Sequence, residues 1–180
     1  FAKTFFARRA ILNIITRYCV YTEDRQLLVM RPYQIVATER ILNRILISTN
    51  MRTLGTTEAG GYIWHTTGSG KTLTSFKTAL LATQIEDVDK VLFVVDRKDL
   101  DYQTTREYDR FQKGAANGNT STAQLKRQLE SSDPAKKIIV TTIQKLATFI
   151  KANQGHTIYD GHVVLIFDEA HRSQFGDMHV

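Results

Sequence analysis

The chain has 180 residues, 42% hydrophobic and 23% charged, which fits a globular domain with its own core and excludes a disordered tail. Its net charge of +6 and pI of about 9.5 favour an anionic partner, nucleic acid first. A single cysteine, Cys19, excludes an internal disulfide and points to a reducing compartment, the cytoplasm. No apolar run has the length of a membrane span, and the N-terminal stretch lacks the cleavage site of a signal peptide.

Residues 4–17 space Phe5, Phe6, Ile11, Leu12, Ile14 and Ile15 as one face of a helix, with Arg8, Arg9 and Arg17 between them. Residues 18–30 read as two short strands around the turn Thr22-Glu23-Asp24-Arg25, with Cys19 a buried, inert thiol. Pro32 suits a first helical turn, and Ile35, Val36, Ile41, Leu42, Ile45 and Leu46 carry that helix to about residue 47. A polar loop follows to residue 60, then a short strand, Tyr62-Ile63-Trp64, then a glycine turn. Helices are expected over 71–84, over 99–111 and, behind the capping pair Ser121 and Gln124, through Leu129. Another helix is expected where Ile143, Leu146, Ala147 and Ile150 recur at helical spacing. Val91–Val95, Ile138–Val140 and Val163–Phe167 are continuous apolar strands, and Gly114 to Asn119 is a loop. Apolar strands alternating with amphipathic helices predict an α/β fold: a parallel sheet covered on both faces, with ligands at the carboxyl ends of the strands.

Two of those strand ends carry chemistry. Thr67-Gly68-Ser69-Gly70-Lys71-Thr72 follows a strand and opens a helix, the context of a phosphate-binding loop. Glycines let backbone N–H groups turn onto phosphate oxygens, and the helix N-terminus adds a favourable field. Lys71 would reach the outer phosphates of ATP and Thr72 would ligate Mg²⁺. The usual pattern places a glycine where His65 stands, but the phosphate-holding end of the loop is complete. Asp168-Glu169-Ala170-His171 follows the last strand: Asp168 would supply a further Mg²⁺ contact and Glu169 would polarise the attacking water. Alone, these carboxylates read as a solvated strand end, and a loop of this kind as a capped turn.

Gly68-Ser69-Gly70-Lys71-Thr72 together with Asp168-Glu169-Ala170-His171 resembles motifs I and II of the superfamily 2 helicases and translocases. Arg31-Pro32-Tyr33-Gln34 is similar to that group's adenine-reading segment, which implies Arg31 and Gln34 at the base of ATP. Asp96-Arg97-Lys98-Asp99-Leu100 and Thr141-Thr142-Ile143-Gln144 fall where motifs Ia and Ib belong. The resemblance makes Arg97, Lys98, Thr141 and Thr142 candidate contacts to the DNA backbone and His171 a coupler between ATP and DNA. On local grounds Thr141 and Gln144 also read as a helix-capping box. The longer strings, Trp64-His65-Thr66-Thr67-Gly68, Val95 to Gln103 and Asp168 to Gly176, resemble the motor subunit of type I restriction enzymes, in which a histidine commonly stands at the position of His65.

That resemblance covers residues 31–180 strongly and residues 1–30 weakly. It implies a first RecA-like lobe over 31–180, preceded by a linking segment over 1–30 and truncated after motif II. It further implies ATP-driven movement along double-stranded DNA, and docking on methyltransferase and specificity subunits. A chain that starts at Phe1 and stops at Val180 reads as a piece of a longer one, without the second lobe that supplies an arginine finger. Two other readings stay open on sequence: the first lobe of another superfamily 2 helicase, and a regulatory or kinase-like nucleotide-binding module, which would not need Asp168-Glu169-Ala170-His171.

Overall fold

The computed structural model describes residues 7–66, 68–96 and 98–168, without the side chains of 98–101. By contacts the chain divides into two compact units: residues up to Thr78 with Arg110–Gln112, and Ala79–Asp109 with Lys113 onward.

In the first unit, α1 (Arg8–Arg17) leads into an antiparallel ribbon of β1 (Cys19–Tyr21) and β2 (Leu27–Val29), in register Cys19↔Val29 and Tyr21↔Leu27. The turn between the strands is the expected one. Arg25 takes a positive φ of 60°, the Thr22 N–H donates to the Gln26 carbonyl at 2.9 Å, and the Gln26 N–H donates to the Thr22 hydroxyl at 3.0 Å. Helix α2 (Pro32–Asn50) starts at Pro32, whose fixed φ suits a first turn and whose missing N–H would have had no helical partner. It runs past the expected end near residue 47 and buries Ala37, Thr38, Leu42 and Ile45. Helix α3 (Lys71–Ala82) contributes Thr78, whose hydroxyl meets that of Thr38 at 3.0 Å, and Phe76, fully buried against Phe111 at 5.1 Å between ring centres. Within this unit Tyr18 bonds Glu39 on α2, and buried Lys77 donates to the Cys19 carbonyl at 3.0 Å.

Burial, then the hydrogen bond to Glu39 and its charge, push the Tyr18 hydroxyl up to about 12. A raised folded-state value means this contact contributes its full stability below pH 10 and loses it as pH rises through about 12. Burial holds Lys77 and Lys90 below the ordinary lysine value, which acts with the opposite sign in the alkaline range. Tyr18→Phe cannot ionise, so its urea midpoint should fall less steeply than wild type from about pH 10 to about pH 12. Parallel curves would exclude the coupling.

In the second unit, β3 (Lys90–Val95), β4 (Ile138–Thr142) and β5 (Val163–Phe167) form a parallel sheet in the order β4-β3-β5. Every residue of β3 is buried, as a central parallel strand requires. Helix α4 (Lys98–Phe111) belongs to this unit up to Asp109, and α5 (Thr122–Glu130) and α6 (Ile143–Ala152) belong to it throughout. Leu92, Val94 and Ile139 pack with Leu125 and Leu129 of α5 and Ile143, Leu146 and Phe149 of α6. Phe93, on the opposite face of β3, meets Tyr108 of α4 at 5.4 Å. Each such fully buried side chain contributes roughly 1.5–3 kcal/mol.

Three expectations are corrected. Tyr62-Ile63-Trp64 is not a strand: residues 61–66 have no regular structure, and Tyr62 and Trp64 are 89% and 87% exposed. Three residues behind Gly60-Gly61 offer one aliphatic side chain, Ile63, too little to bury on both faces of a sheet. Strand β5 is not fully buried, since Leu165 and Phe167 are 48% and 42% exposed. The capping box of Thr141 and Gln144 does not form: β4 runs on through Thr142, and Thr142 caps α6 by accepting from Lys145 N at 3.3 Å. Gln144 instead donates to the Asp96 carbonyl at 3.1 Å.

Candidate nucleotide site

The loop before α3 carries two left-handed glycines, Gly68 (φ 76°) and Gly70 (φ 79°). Between them Ser69 donates its N–H and its hydroxyl to the Thr66 carbonyl, at 3.2 and 2.7 Å, closing a tight turn. Lys71 and Thr72 are the first two residues of α3, both half-buried. Gly70 is confined twice. Its φ suits glycine, and a Cβ there would lie 2.6 Å from Gln34 Nε2.

That contact arises because the start of α2 grips the loop. The Tyr33 hydroxyl donates to the Ser69 carbonyl at 2.7 Å. Gln34 Nε2 donates to the Ser69 and Gly70 carbonyls at 3.1 and 3.2 Å, and its Oε1 accepts from Arg31 N at 2.8 Å. Gln34 is 3% exposed and both of its amide hydrogens are used. Arg31 lies exposed at the start of α2. His65 stands edge-on to the Tyr33 ring, 5.8 Å between centres at 83°. The histidine that departs from the usual loop pattern therefore packs on the tyrosine that holds the loop.

In the second unit Asp168 follows the carboxyl end of β5, with its N–H bonded to the Val94 carbonyl at 3.1 Å. This is the end of a parallel sheet at which ligands are usually held. Asp96, at the same end of β3, accepts the Gln144 bond through its carbonyl.

Thr141 and Thr142, expected at the DNA backbone by resemblance, are both completely buried. The Thr141 hydroxyl donates to Asn119 Oδ1 at 3.1 Å, while that of Thr142 caps α6. Asn119 also donates to the Val140 carbonyl at 2.9 Å, and Asn117 bridges in parallel to Ile139. The loop Gly114 to Asn119 is thus fastened along β4 by its asparagines, a role that composition did not reveal. Thr67, Arg97, Glu169 and His171 lie outside the described residues, as does the side chain of Lys98. Tyr33 is the site residue that sequence reasoning passed over; the signal available was an aromatic beside Gln34, with Trp64-His65 leading into the loop.

The SWI2/SNF2 ATPase family model matches residues 33–180, which supports a helicase-like region and agrees with the parallel α/β sheet and the glycine loop that opens a helix. A Mycoplasma pneumoniae protein described as the C-terminal part of the type I restriction enzyme MpnIIP endonuclease subunit is 50% identical over 182 residues, covering 99% of this chain and 88% of that protein. The type I restriction enzyme SauMSSORF170P endonuclease subunit of Staphylococcus aureus strain MSSA476 is 47% identical over 185 residues, again 99% of this chain. The HindI endonuclease subunit of Haemophilus influenzae is 31% identical over 128 residues. The chain belongs to the family of type I restriction enzyme endonuclease subunits. It spans 88% of the Mycoplasma relative but 18% of the Staphylococcus one. Among the described residues no helix is long and apolar enough to cross a membrane.

Proposed function

We propose that this chain is the first RecA-like lobe, over residues 31–180, of an ATP-dependent double-stranded DNA translocase within a type I restriction endonuclease. The observation that carries the reading is the loop at Gly68-Ser69-Gly70: two left-handed glycines open α3, and the start of α2 holds their carbonyls. Such a loop suits a polyphosphate, because the Ser69 and Gly70 carbonyls are bonded to α2 instead of facing its oxygens. On this reading Lys71 and Thr72 hold the phosphates and Mg²⁺. Asp168 adds a metal contact, Glu169 orients water, and Arg31 and Gln34 lie on the adenine side. ATP supplies the free energy of movement. Arg97, Lys98, Thr141 and Thr142 are the candidates for the DNA backbone, the two threonines through their backbone, and His171 is the candidate for coupling. The basic excess of the chain fits sequence-independent, salt-sensitive phosphate contacts. Partners are the methyltransferase and specificity subunits of the complex, working in the cytoplasm.

The test is steady-state ATP hydrolysis with and without duplex DNA. In superfamily 2 motors a cation from the second lobe completes the site, and such trans-acting cations are worth about 10³–10⁵ in other nucleotide hydrolases. The 180-residue chain alone is therefore expected to turn over ATP negligibly. Robust DNA-stimulated turnover by the isolated chain would overturn the assignment as one half of a two-lobed site.

A further inference from the structure

Two donors converge on one carbonyl of the loop, that of Ser69: the Tyr33 hydroxyl at 2.7 Å and Gln34 Nε2 at 3.1 Å. Together they use both of its lone pairs. In a trans peptide the C=O and the following N–H point in opposite directions, so a Ser69 carbonyl held toward α2 turns the Gly70 N–H away from it. The Gly70 carbonyl is held in the same way, by Gln34 Nε2 at 3.2 Å and by Thr74 N and its hydroxyl, each at 3.1 Å, which turns the Lys71 N–H away too. Gln34 is buried and its place is fixed by Arg31 N. Tyr33 is different: it is 42% exposed, and beyond its own hydroxyl bond its ring is restrained by the edge-on imidazole of His65. Without that contact the ring of an exposed tyrosine would sample other rotamers.

We infer that Tyr33 and His65 form a latch that presets the Gly70 and Lys71 N–H groups for a polyphosphate, making both positioning residues for the phosphates rather than readers of the base. The inference rests on the nucleotide reading given above. Preorganised donors bind an anion more tightly than donors that must first be ordered, and the latch acts before any ligand arrives. It also accounts for a histidine where the usual loop pattern has glycine. Glycine would leave the Tyr33 ring without its edge contact.

The test compares two probes on the intact protein that carries this chain: Mg²⁺ with inorganic tripolyphosphate, which has no base, and MgATP. Tyr33→Phe keeps the ring and removes the hydroxyl. It should weaken both probes by the same factor, about three- to tenfold, the usual worth of one hydrogen bond. His65→Ala should weaken both in parallel by a smaller factor, and His65→Phe, which retains an edge-on ring, should restore them. A merely structural role would lower the melting temperature without this parallel loss and rescue. The inference is overturned if Tyr33→Phe leaves both affinities unchanged. It is also overturned if MgATP alone is weakened, which would put the hydroxyl at the base. Wild-type protein that binds neither probe would remove the nucleotide reading itself, and the latch with it.

Discussion

Replacing Gly70 with alanine is expected to weaken MgATP binding by about 30-fold or more, well beyond the effect of the same change at Gly68. Both residues have a left-handed φ, 79° and 76°, which costs an alanine about 1–2 kcal/mol. At Gly68 that is the whole cost, because a Cβ there meets nothing within 4 Å. At Gly70 the Cβ would come within 2.6 Å of Gln34 Nε2, so the amide must leave. It is 3% exposed and bonded to two carbonyls, and a buried amide stripped of partners costs about 1–3 kcal/mol more. A combined loss above about 2 kcal/mol corresponds to a factor of about 30. Gly61→Ala, at an open position of ordinary φ, is the neutral control. Titration of the three variants with MgATP should give the order Gly61, Gly68, Gly70. Equal losses at Gly68 and Gly70 would mean that the grip of Gln34 on the loop has no part in binding.

Glu169→Gln is expected to lower single-turnover ATP hydrolysis by the intact protein by about 10²–10⁴ while leaving ATP affinity unchanged, so that ATP is retained unhydrolysed. The substitution keeps the size of the side chain and removes its ability to take up a proton. The residue before it is firmly placed: Asp168 is tied by its N–H to Val94 in the buried central strand. Asp168→Asn should behave differently and raise the Mg²⁺ concentration needed for binding, because that carboxylate is assigned to the metal. Rapid-quench hydrolysis and nucleotide-retention measurements separate the two. A regulatory nucleotide-binding module would show no defect in function with Glu169→Gln, so unchanged activity there would favour that reading over the motor.

The grip of α2 on the loop also changes how Arg31-Pro32-Tyr33-Gln34 is understood. By its resemblance the segment belongs to the base of the nucleotide. Its polar atoms turn first to the protein: Gln34 joins the Arg31 N–H to two loop carbonyls, and Tyr33 adds a second donor to one of them. On the proposed reading, a contact to adenine would come from residues that also hold the carbonyls of the glycine loop.

What the sequence by itself determined was whatever a short window encodes. The apolar runs of β3, β4 and β5, the helical spacing of Ile143, Leu146 and Ile150, Pro32 at a first turn and Ser121 at an N-cap are local patterns, and each formed its element. The glycines of the phosphate loop are legible for the same reason, since a left-handed φ constrains one residue at a time. Tertiary structure alone decided which polar groups are used up inside. The Thr141 hydroxyl is taken up by Asn119, 22 positions away. Tyr33 and Gln34 hold carbonyls 35 and 36 positions along the chain. The run at Tyr62-Ile63-Trp64 had a strand's composition but remained outside the sheet. Hydrogen bonds across such separations leave no periodicity, and burial depends on what the rest of the chain places alongside. A residue's type therefore named the chemistry it could do, and its neighbours in space decided whether that chemistry faces a ligand or the protein itself.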